Sequence, residues 1–402
     1  YADMDGDHLP DLAVGRIPAM TDDQVDLVRA KVDDYETVYE TGQWNRRINI
    51  FSSEAGFGVV IDALIENAAF EIVESMTYDW DLSMTYGKQS SPYVYIPQEF
   101  SDKVYERINE GSLMVTYVGH GNSGGFTTFE WDEQAYSILD TANIESQLAV
   151  AHKQPILSFI ACNTGSFDTG TSVSERILFS ANGPSAIMSS TEISHPVPSA
   201  LFIYETGQVM LAERTPTLGE AFVEAKVRMF TCDDELHQQI GEMASAIMEQ
   251  DELDALDRTH QHMYTLFGDP AAKIPYPPVA IDVGVTPAEV SAGGEIQIDA
   301  DLGDLDGGNA IVTLETRRSV ILDELQEVPD QSASDFEEIV DSNYETANDK
   351  VVVEESVSHA GGSLSATITV PEDLAPDTYY VKVYSQDGVS DAIGSVAIEV
   401  VE

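Results

Sequence analysis

Two apolar stretches decide the fold of this 402-residue chain. Residues 113–121 read LMVTYVGHG, and residues 156–163 read ILSFIACN. Each stretch begins with the continuous apolar run that is typical of a buried strand in a parallel sheet, and each ends in a polar turn. The connection between the two runs is long enough for one crossover, so we expect them to be parallel neighbours in one sheet.

Strand and helix patterns alternate on both sides of these stretches, from residue 1 to about residue 275. Thr21 can cap a helix whose apolar residues, from Val25 to Tyr39, recur at helical spacing. Further strands are predicted at 48–51, 72–76 and 185–188, and further helices at 59–70, 100–108, 197–212, 217–230 and 235–264. This alternation predicts an α/β fold, with a mostly parallel sheet that helices cover on both faces.

The composition changes at residues 275–278, PYPP, which indicates a linker. Beyond it the helix patterns disappear, and about seven short strands separated by turn residues are typical of an immunoglobulin-like β-sandwich. We therefore predict two domains, residues 1–275 and 279–402. The acidic, weakly apolar segment 323–350 is expected to be a long exposed loop.

The chain is strongly acidic, because 71 Asp and Glu residues against 19 Lys and Arg residues give a formal net charge of −52. Such a surface argues against nucleic acid and anionic membranes as partners. No apolar run is long enough to insert into a membrane as a helix. A lysine-poor acidic surface fits a high-salt, marine or extracellular setting, where ions screen the charge. The chain starts at Tyr1 within sequence that already looks structured, so we expect a portion upstream. The oligomeric state is not indicated.

Two reactive side chains, His120 and Cys162, follow the two apolar runs. If the strands are neighbours, both side chains lie at the same edge of the sheet. A cysteine there can attack a carbonyl carbon as a thiolate while the imidazole carries protons, and the N–H group of Gly121 can stabilise an oxyanion. Taken singly, a buried core cysteine and a structural turn histidine are the commoner interpretations. The joint pattern favours catalysis.

The other cysteine, Cys232, precedes Asp233 and Asp234. Neighbouring acids disfavour a thiolate, so Cys232 is predicted to be a poor nucleophile. Two cysteines exclude a disulfide framework and a four-cysteine zinc site.

The same stretches resemble a known family. GHG at 119–121 and ACN at 161–163 are similar to the His-Gly and Ala-Cys pair of the gingipain-type cysteine peptidases, which belong to the clan of caspases, legumain and clostripain. Four more segments of the chain resemble parts of the family's sequences: DGD at 5–7, PDLAVGRIP at 10–18, SAIMSST at 185–191 and LFGDP at 266–270. The resemblance covers most of residues 1–275. It implies a caspase-like α/β domain, and an immunoglobulin-like module after it is also typical.

The resemblance implies roles for individual residues. Cys162 would be the nucleophile that forms a thioester acyl-enzyme with protein or peptide substrates, and His120 would donate a proton to the leaving amine. The backbone amides of Gly121 and Cys162 would bind the oxyanion. Glu54 falls where the family carries an acid that orients the histidine, and a solvated loop carboxylate is the alternative.

The substrate pocket departs from the arginine-specific members of the family. The stretch after Glu54 is shorter and apolar, and Asp62 is the remaining candidate for an acid in the pocket. His195 stands where an aromatic wall residue is expected, and Thr191 is the third pocket candidate. Cleavage after arginine or lysine is therefore an expectation that depends on Asp62.

A candidate calcium loop lies at the start of the chain. Asp3, Asp5 and Asp7 alternate, Gly6 lets the chain wrap around an ion, and Asp11 follows four residues later. Carboxylate oxygens suit the hard cation Ca²⁺. An acidic turn without an ion is the alternative in a chain this acidic.

These observations predict a secreted or cell-surface cysteine endopeptidase. A catalytically inactive relative that serves as a calcium-dependent adhesion or sorting module is the alternative. The segment GNSGG at 121–125 resembles the serine loop of trypsin-like peptidases. That fold needs a histidine and an aspartate in a preceding β-barrel, whereas helix and strand patterns alternate here.

Overall fold

The structure is a computed structural model that describes residues 2–38, 40–56, 59–168, 170–245 and 248–401, without the side chains of residues 59–61 and 64. Residue contacts divide the chain into two compact units. The first unit consists of residues 1–39, 48–76 and 83–274, and the second of residues 40–47, 77–82 and 275–402. Two short segments from the N-terminal part of the chain therefore belong to the second unit. The two domains expected from the sequence, 1–275 and 279–402, stay a prediction.

The strands up to residue 274 are β1 (Gly15–Arg16), β2 (Arg47–Ser53), β3 (Asp81–Gly87), β4 (Met114–Val118), β5 (Gly121–Asn122), β6 (Gly125–Phe126), β7 (Thr128–Trp131), β8 (Gln134–Ser137), β9 (Ile156–Ile160), β10 (Ile187–Ser190) and β11 (Tyr264–Phe267). Seven of them form the main sheet, in the order β1, β11, β10, β9, β4, β2, β3. Strand β4 pairs in parallel with β2 and β9, and β9 with β10, whereas β10 and β11 are antiparallel. The predicted mostly parallel sheet is confirmed.

Nine α-helices are described before residue 275, and they cover both faces of the sheet. They are α1 (Asp22–Thr37), α2 (Val59–Ser75), α3 (Phe100–Asn109), α4 (Ile144–Gln147), α5 (Val173–Leu178), α6 (Pro196–Gly207), α7 (Leu218–Thr231), α8 (Glu235–Ser245) and α9 (Gln250–Met263). Ile48, Met114 and Ile160 face α2, α6 and α8. Phe51 and Phe159 lie on the opposite face, towards α3 and α5, because successive strand residues point to opposite sides.

Local sequence signals explain where some of these elements begin and end. Thr21 caps α1, since its side-chain oxygen accepts a hydrogen bond from the Gln24 backbone N–H, as predicted. The predicted strand at 72–76 is wrong, because residues up to Ser75 belong to α2. The apolar residues of α2 continue at steps of three and four through Ile72 to Met76, and a short apolar run alone does not separate a strand from a buried helix end.

The second unit is rich in strands. They are β12 (Val279–Ala280), β13 (Val283–Thr286), β14 (Glu289–Ser291), β15 (Glu295–Asp301), β16 (Gly308–Glu315), β17 (Val351–His359), β18 (Ser363–Thr369), β19 (Asp377–Gln386) and β20 (Asp391–Val401). A six-stranded sheet and the three-stranded sheet β13-β15-β18 share one apolar core, in which Ile298, Val312 and Val381 are fully buried. The β-rich C-terminal region is confirmed, and its immunoglobulin-like class stays a prediction.

The predicted exposed loop at 323–350 is wrong for its second half. Residues Phe336–Asn348 form a helix, α10. Phe336, Val340, Tyr344 and Ala347 recur at helical spacing and are buried. Acidic residues occupy the exposed positions of α10, so its overall composition is typical of a loop. Its helical nature shows only in the spacing of its buried apolar residues.

A buried ion network lies within the second unit. Lys382 on β19 is 4 % exposed, and its Nζ lies 2.5 Å from Asp81 Oδ1 and 2.8 Å from Glu315 Oε1. Arg46 Nε lies 2.7 Å from the other oxygen of Asp81. Tyr78 stacks on Tyr380 with ring centroids 3.3 Å apart. The segments 40–47 and 77–82 thus supply charges and an aromatic ring to the C-terminal strands.

None of the helices in the described residues is both long enough and apolar enough to span a bilayer.

Candidate active site

The register of β4 and β9 aligns the two reactive residues of the sequence. Val118 is paired with Ile160, and the Gly119 N–H donates to the Ile160 carbonyl oxygen over 3.2 Å. His120 comes two residues after Val118, and Cys162 comes two residues after Ile160. Both therefore leave the same edge of the parallel sheet at the same height, and both line one cavity of about 450 Å³.

The Cys162 side chain is half-buried in a tight turn. Its Sγ lies 3.6 Å from the Ser194 carbonyl oxygen and 3.7 Å from the Ser194 hydroxyl. Asn163, the next residue, has a φ of +57°, in the left-handed region that asparagine tolerates better than most residues. The Asn163 N–H donates to the Glu192 carbonyl oxygen. The turn after β9 is thereby tied to the loop that carries Ser194.

The His120 side chain is exposed to solvent, and its Nε2 atom is held by the backbone. Its Nε2 lies 2.5 Å from the Ala55 carbonyl oxygen. A carbonyl oxygen only accepts hydrogen bonds, so this contact places a proton on Nε2 and leaves Nδ1 as the basic nitrogen of the neutral ring. The Tyr117 hydroxyl donates to the His120 carbonyl oxygen over 2.9 Å and fixes the backbone there.

Close contacts require glycine on both sides of His120. Gly119 has a φ of +157°, and a Cβ atom at this residue would come within 2.1 Å of Ser53 Oγ. At Gly121 a Cβ atom would lie 2.9 Å from Ala161 Cβ and 3.3 Å from the Cys162 carbonyl oxygen. The backbone of Gly121 therefore runs close against the Cys162 turn, where an oxyanion donor is expected.

A comparison with protein-family models identifies the family of the chain. Residues 1–275 match the model of Peptidase family C25. The chain belongs to Peptidase family C25. The resemblance to gingipain-type peptidases is thereby confirmed, and membership supports a cysteine peptidase whose substrates are proteins.

Two solved structures resemble this C25 family member at low sequence identity. One is the Arg-specific cysteine proteinase gingipain R (RgpB), at 16% identity over 99% of this chain and 76% of that chain, with a TM-score of 0.48. Another is the complex of Porphyromonas gingivalis RgpB pro- and mature domains, at 16% identity over 98% of this chain and 78% of that chain, also with a TM-score of 0.48. No curated protein matches the chain.

The predicted orienting acid of the peptidase, Glu54, is exposed. It directly precedes Ala55, whose carbonyl oxygen holds His120 Nε2. Sequence reasoning missed Ala55, because the side chain of a residue that acts through its backbone carries no signal.

The three predicted pocket residues have different surroundings. His195 lines the cavity, and burial lowers the pKa of its imidazole. Thr191 donates from its N–H and its hydroxyl to the Met263 carbonyl oxygen. Asp62 lies half-buried in the first turn of α2, and the described residues that line the cavity do not include it. Only His195 of the three thus borders the cavity that His120 and Cys162 share.

The support behind His195 was not predicted from the sequence either. The His195 N–H donates over 2.8 Å to Nε2 of His260, a fully buried residue of α9. His260 Nδ1 in turn lies 2.8 Å from the Leu256 carbonyl oxygen, to which it donates. Burial lowers the pKa of His260 to about 4. A neutral imidazole therefore fastens the loop that carries Ser194 and His195.

The acidic N-terminal segment brings three of its four predicted ligands together. One carboxylate oxygen each of Asp3, Asp5 and Asp11 lies within 4.8 Å of the others. Asp7 is outside this group, and its Oδ1 accepts a hydrogen bond from the Leu9 N–H over 2.8 Å. A backbone hydrogen bond from Gly6 lowers the pKa of Asp3, which favours the ionised carboxylate.

Proposed function

We propose that this C25 peptidase is a cysteine endopeptidase with Cys162 as nucleophile and His120 as proton carrier. The observation that carries this proposal is the register of β4 and β9, since it aligns both residues beyond paired strand ends on one cavity. A substrate carbonyl that enters this cavity can meet both side chains.

The proposed reaction has two stages. Nδ1 of His120 takes the proton of the Cys162 thiol. The resulting thiolate attacks the carbonyl carbon of the scissile bond, and a carbon–sulfur bond forms. His120 donates a proton to the amide nitrogen, and the carbon–nitrogen bond breaks. The amine departs, and the acyl group remains on Cys162 as a thioester. Water, losing a proton to His120, then hydrolyses the thioester and releases the acid. The N–H groups of Gly121 and Cys162 are the proposed donors to the oxyanion.

The segment at 54–55 supports the histidine in this proposal. Because the Ala55 carbonyl oxygen holds the proton on Nε2, proton exchange with the substrate uses Nδ1. The exposed carboxylate of Glu54 adds negative charge near the imidazolium that forms during the reaction. Orientation thus comes from a backbone group, and Glu54 contributes electrostatically.

A labelling experiment tests the proposal. An iodoacetamide-type probe is expected to modify Cys162, as located by mass spectrometry, and to abolish peptide hydrolysis. Cys162→Ala should abolish hydrolysis, and His120→Ala should slow it by about 10²- to 10⁴-fold. Ser123→Ala is the matched control, because the trypsin-like interpretation makes Ser123 the nucleophile, and this variant should keep full activity. Hydrolysis that survives in Cys162→Ala would refute the assignment.

The alternative function is a catalytically inactive adhesion or sorting module of the same fold. The hydrogen bond that His120 Nε2 donates to the Ala55 carbonyl oxygen and the free thiol at Cys162 favour the enzyme, since a binding module needs neither. Purified wild-type chain that hydrolyses no member of a diverse peptide library, while its Cys162 stays unreactive, would favour the inactive module.

Asp3, Asp5 and Asp11 are the proposed ligands of a structural Ca²⁺ ion. Three carboxylates with converging oxygens fit a hard cation, and the left-handed Gly6, with a φ of +85°, lets the loop curve around it. Calcium is expected to raise the melting temperature of the wild type but not of Asp3→Asn. Asp23→Asn, an exposed acid in the first turn of α1, is the control that should respond like the wild type.

An extracellular setting is proposed from the charge. A formal net charge of −52 requires ions to screen the repulsion between surface carboxylates. Stability is therefore expected to fall when salt is lowered from molar to millimolar levels, and a melting temperature that stays constant would contradict this setting.

A further inference from the structure

Four side chains outside the candidate active site converge where α6, α7 and α8 meet. Glu205 lies near the end of α6, Cys232 follows α7, Asp234 precedes α8, and His237 lies in the first turn of α8. Ligand atoms of Glu205, Asp234 and His237 all lie within 4.8 Å of one another. The Cys232 thiol lies near the Glu205 carboxyl group, and burial together with this neighbouring carboxyl group raises the pKa of the thiol. The cluster thus combines sulfur, nitrogen and oxygen atoms.

The orientation of His237 is fixed by Asp234. Oδ1 of Asp234 lies 3.0 Å from His237 Nδ1 and also accepts the His237 backbone N–H over 2.9 Å. The other oxygen of Asp234 accepts from the Tyr204 hydroxyl. Since a carboxylate only accepts hydrogen bonds, Nδ1 of His237 carries the proton, and Nε2 of the neutral ring presents its lone pair.

The Nε2 atom of His237 is a buried polar atom without a hydrogen-bond partner. His237 is 9 % exposed, and Nε2 faces Oε1 of Glu205 at 3.4 Å, where Glu205 is itself 2 % exposed. A nitrogen lone pair and a carboxyl oxygen thus face each other in the interior. Burial of two such acceptors is costly unless a cation or a proton lies between them.

The spacing and chemistry fit a transition metal. Donor atoms at the corners of a tetrahedral zinc site, about 2.0 Å from the ion, lie roughly 3.3 Å apart, close to the 3.4 Å between Nε2 and Oε1. Histidine ligands of zinc commonly donate their second N–H to a carboxylate, as His237 does to Asp234. Thiolate, imidazole and carboxylate together select zinc over the hard cations calcium and magnesium.

We propose that Glu205, Cys232 and His237 bind a zinc ion, and that Asp234 orients His237 for this role. Cys232 is partly buried and Asp234 is exposed, so the ion can enter from solvent. The ion would join the end of α6, the end of α7 and the start of α8. Its role is to stabilise this corner of the first unit.

Cobalt substitution tests the site in the full-length chain. The Cys162→Ala background removes the only other thiol, and excess Ca²⁺ occupies carboxylate clusters. Titration with Co²⁺ should give a near-ultraviolet thiolate-to-cobalt charge-transfer band, which added Zn²⁺ abolishes. The band should be lost when Cys232→Ser is added. Asp234→Asn should weaken Zn²⁺ binding roughly 10- to 100-fold, as expected for the partner of a metal-bound histidine.

Asp233→Asn is the matched control, because it removes a neighbouring acid that lies outside the cluster. It should bind Zn²⁺ like the parent, and circular dichroism in the presence of a chelator checks that every variant is folded. The proposal is overturned if no thiolate band appears. It is equally overturned if the band persists in Cys232→Ser, or if Zn²⁺ raises the melting temperature of His237→Gln as much as that of the parent. Glu205 and His237 would then share a proton instead of a metal ion.

Discussion

His120 Nε2 donates a hydrogen bond to the Ala55 carbonyl oxygen, a backbone group that no side-chain substitution removes. The neighbouring carboxylate, Glu54, is exposed. A backbone group therefore orients the proposed proton carrier.

Substitutions of Glu54 and His120 should consequently differ in size. His120→Ala removes the proton carrier and is expected to lower kcat by about 10²- to 10⁴-fold. Glu54→Gln removes one solvated charge, worth about 1 kcal/mol, and is expected to lower kcat/KM by no more than about tenfold. Steady-state kinetics checks both, with Glu71→Gln, an exposed acid of α2, as the control. An equal loss in Glu54→Gln and His120→Ala would mean that the carboxylate orients the ring.

The cavity next to Cys162 predicts the cleavage preference. Of the described residues that line it, none is acidic, and Ile65, Ile72 and Ile203 are among its walls. An apolar wall leaves a lysine or arginine charge without a partner at a cost of several kcal/mol. Peptide-library profiling should therefore find apolar residues before the cleaved bond, and Asp62→Ala should leave the pattern unchanged. A preference for arginine that Asp62→Ala removes would contradict this prediction.

His260 should make folding stability depend on pH. Its folded pKa is lowered by burial to about 4, below the ordinary 6.5, so the folded state binds this proton less readily than the unfolded state. Stability is therefore fully present above about pH 6.5 and is lost as the pH falls towards 4. The loss is about 2 kcal/mol at pH 5.

Denaturant titrations at pH 7.5 and pH 5 check this dependence. In His260→Gln the loss between the two pH values should be smaller by that amount, because glutamine does not titrate and its oxygen can still accept the His195 N–H. The neighbouring titratable residue, His195, is present in both proteins, so the difference isolates His260. Identical pH dependence in both proteins would rule out the effect.

The buried ion network of the second unit should be sensitive to the loss of Lys382. Lys382→Met leaves Asp81 and Glu315 with reduced compensation, and breaking a buried pair in this way typically costs about 3–5 kcal/mol. Arg317→Met is the matched control, because Arg317 and Asp377 form a partly exposed pair whose loss should cost less than about 1 kcal/mol. Equal losses in the two variants, measured by chemical denaturation, would refute a special role for Lys382.

Sequence patterns predicted the elements whose signals are local. The Thr21 cap, the apolar runs of β4 and β9, and their parallel pairing follow from residues within each element. Helix α10 was not predicted, because its buried residues are separated by acids that dominate the composition. The helical spacing of its apolar residues, which starts at Phe336, is the sequence signal that identifies α10.

The candidate site likewise has a part that was predicted from the sequence and a part that was not. The positions of His120 and Cys162 follow from two strand ends, each visible in the sequence. Ala55 contributes a backbone carbonyl, and Ser194 and His260 come from distant loops and helices. A backbone group carries no residue-type signal, and contacts between distant segments depend on packing. Sequence reasoning could therefore nominate the reactive atoms but not their supports.

The division of the chain between the two units affects its biosynthesis. Residues 40–47 and 77–82 leave the ribosome long before residues 275–402, which complete the unit they belong to. Until then the nascent chain holds Tyr78 and Trp80 without Tyr380 and Tyr276, the rings that lie beside them, although both are less than 10 % exposed in the finished protein. A product that ends prematurely near residue 275 would present these aromatic rings to chaperones and proteases, so quality control can distinguish it from the complete protein.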